Sequence, residues 1–337
     1  SNAIANATEL AFGGNEVVET FAGPMPIAKL ITGIAVTAIL GIIIFGGVKR
    51  IAHVTQVIVP FMAVAYIVLA VGIIVMNIAE LPRIIGLIVG DAFTPMAGFG
   101  AAIGWGVKRG IYSNEAGQGT GPHAASASEV EHPAQQGLVQ AFSVYIDTLF
   151  VCSATAFMIL MTGAYNVHPT GSEIIVQNLP ADTIIASPAF TQLALESVVG
   201  GAGKVFVAIA LFFFAFTTML AYYYIAETNV AYIRRTFRFP GELFILKLAL
   251  MATVFYGTVR TADVAWTMGD LGVGIMAWLN IVAILIIFFI ARPAILALRD
   301  YEAQRKAGVS HYTFNPEKLG IKNADFWAER YEKGRRE

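Results

Sequence analysis

Residues Gly98-Phe-Gly-Ala-Ala-Ile-Gly-Trp-Gly-Val-Lys-Arg-Gly-Ile-Tyr-Ser-Asn-Glu-Ala-Gly-Gln-Gly-Thr-Gly-Pro-His123 decide how this chain is read. Glycines at 110, 117, 119 and 121, followed by Pro122, work against one continuous helix. The flanks nevertheless read as helix, with Ala124 to Val130 predicted to resume after a proline at a helix start. What such a break means depends on its surroundings.

The surroundings are apolar. Of 337 residues, 57% are hydrophobic and 13% charged, and mean hydropathy is +0.67. Soluble domains carry about 25% charged residues, so the composition excludes an ordinary soluble enzyme and a disordered chain. A net charge of -1 supplies no basic field for nucleic acid. The single Cys152 excludes a disulfide framework and a cysteine-built metal site. Six stretches are long and apolar enough to cross about 30 Å of hydrocarbon as helices: 27–46, 54–77, 138–162, 204–232, 241–259 and 266–291. Their strongly polar interruptions include Lys29, His53 at one border, Asp147, Lys204, Glu227, Lys247 and Asp270. The Gly/Ala-rich stretch 96–131 is a seventh candidate. Ser1 to Phe12 reads as the end of another helix. The opening Ser-Asn-Ala is either native or a cloning scar, and the chain reads as a piece of something longer.

Lys and Arg set the orientation. Lys49 and Arg50, then Arg234, Arg235 and Arg238, then the basic tail from Arg292 to Arg336 share one side if 96–131 crosses once. That side is cytoplasmic. The N-terminal end lies outside, the charged tail 298–337 inside, and residues 1–297 form the membrane domain. Two outer connections are long. In 79–95 the run Ile84 to Val89 predicts an interfacial helix. In 163–203, Pro169, Pro180 and Pro188 predict short helices between them; the alternative for both is solvated linker. Phe326, Trp327 and Tyr331 would let the tail lie on the membrane face or dock on the bundle.

An unwound backbone inside hydrocarbon must be satisfied by protein or line a wet cavity, so a broken helix at 98–123 points to a ligand site. A half-helix N-terminus there suits a carboxylate, and unwound carbonyls suit a cation. The competing reading is a cytoplasmic loop after a helix ending at Lys108-Arg109. Ser113, Asn114 and Glu115 offer oxygens, Arg109 and Glu115 are spaced to form a pair or a gate, and Tyr112 would wall a pocket or simply pack. Thr217 and Thr218 fall mid-span and would either bond the preceding turn or join a sodium site of neutral oxygens. Tyr222, one turn beyond Thr218, shares its face. Asp147 is an intramembrane carboxylate that would bind a cation, carry a proton or tie helices together. Asp270 and Asn280 raise the same question. No H-E-x-x-H, G-x-S-x-G or Walker A pattern occurs, and the five histidines show no zinc spacing.

Gly110-Ile-Tyr-Ser-Asn-Glu-Ala-Gly-Gln-Gly-Thr-Gly-Pro122, with His132-Pro, Gln136-Gly-Leu-Val and Asp147-Thr-Leu, closely resembles the alanine or glycine:cation symporter family. Gly47-Val-Lys-Arg-Ile-Ala-His, Val59-Pro-Phe-Met and Phe214-Ala-Phe-Thr-Thr with Tyr223-Tyr look like the same family in the same order. The opening Ser-Asn-Ala-Ile-Ala-Asn resembles that family's Gln-Ser-Asn-Ser-Ile segment and favours a native start.

The resemblance implies an all-α polytopic membrane protein with the leucine-transporter inverted-repeat fold (APC superfamily), in the cell inner membrane and in contact with lipid. It implies sodium-coupled symport of alanine or glycine, with sodium as the bound ion, no enzyme activity and no nucleic-acid partner. On that scheme residues 1–12 are the outer half of core helix three, 96–131 is broken helix six, and core helices one and two are absent. Asn2 and Ile4 match the helix-three segment near the substrate; Tyr112 to Gly119, including Ser113, Asn114 and Gly117, match the unwound segment. Thr217 and Thr218 match the helix-eight sodium pair. The resemblance departs at Tyr112 and Tyr222, where family members often carry Phe and Trp. Two rivals stay open: a proton-coupled permease of the same fold, with Asp147 or Glu115 as proton carrier, and a non-transporting membrane sensor.

Overall fold

The computed structural model describes residues 1–14, 16–20, 23–94, 103–167, 175–180, 187–237, 239–259 and 263–334. The start of the broken stretch (96–102), Pro169, Glu173, Asp182, Arg238 and Arg260 lie outside these residues. Among the described residues, six helices have the length and composition to cross a membrane: Ile27–Ile44, Val48–Met76, Pro133–Thr162, Gly201–Ile233, Glu242–Val259 and Trp266–Phe289. They coincide with the six stretches read from hydropathy, and the protein is an integral membrane protein built from helices. The chain divides into two compact units, Ser1–Gly106 with Leu149–Thr267, and Val107–Thr148 with Met268–Glu337.

In the first unit, α1 (Asn2–Phe12) leads into a hairpin, β1 (Val17–Thr20) and β2 (Gly23–Pro26), that hydropathy does not reveal. Then come α2 (Ile27–Ile44), α3 (Val48–Met76) and α4 (Leu81–Ala92). α4 contains the expected Ile84–Val89 run. At 29 residues α3 is about 44 Å long, so its start, with Lys49, Arg50 and His53, extends past the hydrocarbon. Pro60 is inside it, as membrane helices tolerate when neighbours satisfy the freed carbonyl.

The first unit resumes beyond residue 148 with α8 (Ser153–Thr162), a two-residue ladder of β3 (Asn166–Val167) with β4 (Val176–Gln177), α9 (Ser187–Val199), α10 (Gly201–Ile233) and α11 (Glu242–Val259). Within the connection 163–203 the described residues hold a strand ladder and the helix α9, and most of the stretches between Pro169, Pro180 and Pro188 lie outside them. Backbone pairing of Asn166 and Val167 takes the place of a turn of helix there, and the Asn166 carboxamide secures it by accepting from the Asn178 and Leu179 amides, both at 2.8 Å.

Two apolar clusters form this unit's core. Ile4, Val36, Leu40, Ile44, Phe216 and Tyr223 join α1, α2 and α10; Tyr66, Ile73, Met158, Leu195 and Val207 join α3, α8, α9 and α10. Gly203 is required where α10 meets α9, since a Cβ there would lie 2.7 Å from the Leu195 carbonyl carbon. Beside it the fully buried Gln192 donates from Nε2 to the carbonyls of Ala7 in α1 (2.9 Å) and Lys204 in α10 (3.2 Å). Two of the charged interruptions are paired, as apolar surroundings favour: Lys29 with Glu9 at 3.3 Å and Lys204 with Glu196 at 2.8 Å, while Lys247 lies 5.0 Å from the Phe45 ring centroid.

The second unit contains most of α5 (Ile103–Asn114), then α6 (Gly121–Ala125), α7 (Pro133–Tyr145) with the first residues of a π-helical turn (Ile146–Cys152), and α12 (Asp263–Ile286) from Met268. A second π turn (Ile287–Ala291), α13 (Pro293–Lys306) and α14 (Asp325–Gly334) complete it. The tail docks on the start of α7. His132 caps that helix, its Nδ1 accepting from the Ala134 amide at 3.1 Å. The buried imidazole sits against Phe314 (4.9 Å) and Tyr301 (5.4 Å), and Trp327 packs on Phe314 at 5.4 Å. Glu131 accepts from His311 and from the Tyr312 amide, both at 2.9 Å.

Candidate functional site

The helix break is present. α5 ends at Asn114, and Glu115, Gly117 and Gly119 take left-handed φ values of 55°, 89° and 89°. Only glycine adopts such angles without strain, which is why this segment is glycine-rich. α6 then begins at Gly121, with Pro122 in its first turn, but it is five residues long. The expected resumption over 124–130 is therefore corrected: the helix starts three residues earlier and stops at Ala125. The Ser126 hydroxyl donates to the His123 carbonyl at 2.7 Å, the side-chain bond that competes with helix continuation. So short a helix cannot supply the dipole end expected from the sequence.

Polar side chains hold the break. The last three residues of α5 each reach a different partner. Tyr112 donates to Asp270 Oδ1 at 2.7 Å, Ser113 to Asp147 Oδ1 at 2.9 Å, and Asn114 Nδ2 to Thr148 Oγ1 at 3.0 Å. Asn114 Oδ1 also accepts from the Ala116 amide at 2.9 Å. Thr120 donates to Glu115 at 2.5 Å, and Asn280 Nδ2 donates to the Gly117 carbonyl at 2.9 Å. Gln118 is buried, its Nε2 donating to the Ile111 carbonyl at 2.9 Å while its Oε1 has no hydrogen-bond partner among the described residues. Arg109 lies 5.8 Å from the Tyr112 ring centroid, and Lys108 forms an ion pair with Asp270.

Asp147 and Thr148 sit in the π turn. A π turn inserts an extra residue and shifts side-chain directions, a device frequent at functional sites. The arrangement gathers a carboxylate, two hydroxyls and a carboxamide where α5 gives way to the left-handed segment. Oxygen donors of this kind suit a hard cation.

The remaining expected residues belong to the first unit. Thr217 donates to the carbonyls of Phe213 (2.9 Å) and Phe214 (3.1 Å), and Thr218 to Phe214 (2.9 Å). Both hydroxyls make the preceding-turn bond, which leaves their lone pairs for a cation. Thr217 is buried and Thr218 exposed. Tyr222 is half-buried one turn beyond Thr218, beside the fully buried Tyr223. Asn2 accepts from Asn6 Nδ2 at 3.0 Å. Ile4 is 1% exposed and its side chain belongs to the packing core.

Sequence reasoning gave little weight to Asp270, Asn280 and Thr148. Each was visible as a polar residue inside or beside a span. Their partners were not, because Tyr112–Asp270 and Gly117–Asn280 are separated by 158 and 163 positions.

The model of the sodium:alanine symporter family matches residues 2–315. The chain is 56% identical over 335 residues to a putative sodium/proton-dependent alanine carrier protein, YrbD, of Bacillus subtilis (98% of this chain, 65% of that protein). It is 53% identical over 325 residues to a sodium/proton-dependent alanine carrier protein of Bacillus sp. strain PS3 (95% of this chain, 72% of that protein). Similarity extends to an archaeal sodium/alanine symporter, AgcS, of Methanococcus maripaludis, 32% identical over 277 residues (81% of this chain, 57% of that protein). The chain thus spans about two thirds of the length of the first two relatives.

Proposed function

The chain belongs to the sodium:alanine symporter family, and from that membership we propose that the protein carries out sodium-coupled uptake of small neutral amino acids, alanine or glycine, by alternating access. The family is one of carriers rather than enzymes. The observation that carries the reading is the break at 115–120, where three left-handed residues follow α5 and polar side chains of the π turn (Asp147, Thr148) and of α12 (Asn280) hold the segment. In this reading Tyr112, Ser113, Asn114 and Gly117 bind the substrate; the family resemblance also assigns Asn2, Thr218 and Tyr222 to substrate binding. Ile4 supports Asn2 from the core. Thr217 and Thr218 hold sodium through their lone pairs, and Asp147 is a further candidate sodium ligand.

The scheme that fits is the leucine-transporter inverted repeat, with residues 1–297 in the cell inner membrane and the tail 298–337 cytoplasmic. The N-terminal end lies outside, and membrane lipid covers the outward faces. Sodium binding stabilises the substrate-competent state, so the sodium gradient drives uptake by linkage.

Alanine uptake into proteoliposomes, with the protein as encoded by its gene, tests this. Replacing sodium by choline at fixed pH should abolish uptake, and Thr218→Ala should raise the sodium concentration needed for half-maximal uptake about tenfold, the loss of one ligand of about 1.4 kcal/mol. Unchanged sodium dependence in that variant removes Thr218 from the site. A second reading is favoured by the two Bacillus relatives described above, both of which are called sodium/proton-dependent. Uptake that persists in choline and follows an imposed pH gradient would make Asp147 or Glu115 a proton carrier. Absence of alanine counterflow under every ion condition would favour a sensor.

A further inference from the structure

The carboxylate of Asp270 is not spent on a single partner. It stands in the span Trp266–Phe289, where a charge is costly unless paired. One oxygen takes the Tyr112 hydroxyl at 2.7 Å and the other pairs with Lys108. Lys108 and Tyr112 are four apart, on one face of α5, so Asp270 grips two successive turns of the helix that leads into the break. The phenol oxygen is held close to α12 itself: a Cβ on Gly269 would lie 3.3 Å from it. Ten residues further along α12, about 15 Å, Asn280 holds the Gly117 carbonyl and leaves no room beside Gly119, where a Cβ would meet it at 3.2 Å. One helix therefore grips the segment both before the break, at Tyr112, and within it, at Gly117.

We propose that Asp270 is a positioning residue that sets substrate selectivity. By anchoring the Tyr112 hydroxyl against α12, it makes the phenol ring a fixed wall of the substrate site and restricts that site to small neutral amino acids. A hydrogen bond to an ionised acceptor is shorter and stronger than one to water or a neutral group. Ser113 follows Tyr112 directly in the last turn of α5, so a ring free to rotate would change the space where that helix enters the break. Lys108, paired with the other carboxylate oxygen, holds the carboxylate aimed at the phenol. The inference rests on the reading of the break as the substrate site.

The test is uptake kinetics in proteoliposomes with alanine and with valine as a larger neutral competitor. Asp270→Ala and Tyr112→Phe should each raise KM for alanine about tenfold, with kcat within about twofold, and lower the preference for alanine over valine. The double variant should be no worse than either single one, because both remove the same bond. Lys108→Met combined with Asp270→Asn, which keeps an uncharged oxygen for the phenol, should recover the alanine KM. Lys108→Met combined with Asp270→Leu should not; this pair of variants carries the test if Asp270→Ala does not fold. Additive effects of Asp270→Ala and Tyr112→Phe, or an unchanged preference in both, overturn the proposal. So does a Lys108→Met variant that reproduces the whole Asp270→Ala effect while Tyr112→Phe is silent. Ser113→Ala separates the two levels of argument. If it leaves KM unchanged, the break is not the substrate site and the underlying reading fails; if it raises KM while Asp270→Ala does not, the positioning role alone fails.

Discussion

Single residues in the break carry conformations that other side chains resist. Gly119 has φ 89°, and a Cβ there would press on Asn280 at 3.2 Å. Gly119→Ala should therefore destabilise the protein by about 1–3 kcal/mol through backbone strain. It should also loosen the Asn280 contact, seen as a lower melting temperature in detergent and weaker alanine uptake. Gly137, with open space around its Cβ position, is the control, and its alanine variant should melt no lower than the parent. His132 gives a pH prediction. Burial pushes its imidazole pKa below the usual 6.5, with Asp300 pulling the other way less strongly. The folded protein therefore takes up that proton less readily than the unfolded chain. The stability from the neutral ring is fully present above about pH 6.5 and declines as pH falls from there through the lowered folded value. Melting temperature measured between pH 7.5 and 5.5 should fall, and His132→Phe should flatten the dependence while losing the cap on α7.

At the scale of elements, the six long spans were legible because hydropathy over about 20 residues needs no knowledge of partners. The break was legible for a local reason too: Gly117, Gly119 and Pro122 state their backbone demands in sequence. What surrounds it was not. The π turn at Ile146–Cys152 turns Asp147 and Thr148 toward Ser113 and Asn114, and nothing in Ile-Asp-Thr-Leu-Phe-Val-Cys announces an i→i+5 turn. The β1–β2 hairpin was equally hidden, since Val17 and Pro26 pair without an alternating apolar pattern. The short α6 shows local chemistry overriding a pattern, with Ser126 ending a helix that alanine-rich sequence would continue. Asp147→Asn keeps an oxygen for Ser113 and removes the charge. If Asp147 holds a cation, this change should raise the sodium requirement for alanine uptake about tenfold. If it only ties helices, the sodium dependence should be unchanged.

Across the whole molecule, the tail is part of the second unit. Phe314 is 6% exposed and stands between His132 and Trp327. Phe314→Ala should cost about 3 kcal/mol, within the range for emptying a buried aromatic position, and lower the melting temperature. Trp327→Ala should act in the same direction and less than additively with it, because the two rings share one contact. The sequence marked this tail as charged and its aromatic residues as able to dock. It did not say where, since His132 and Asp300 lie 168 positions apart.

The Gln192 carboxamide has a mechanical consequence. Its two donated bonds end on carbonyls of two different helices, α1 and α10, and it is sealed from solvent. Lifting α9 away would strip both carbonyls and the amide at once, with no water to take their place, a penalty of several kcal/mol. Intermediate displacements gain nothing until both bonds are broken. The three segments must then travel as one piece or part abruptly: Gln192 works as a rivet rather than a hinge.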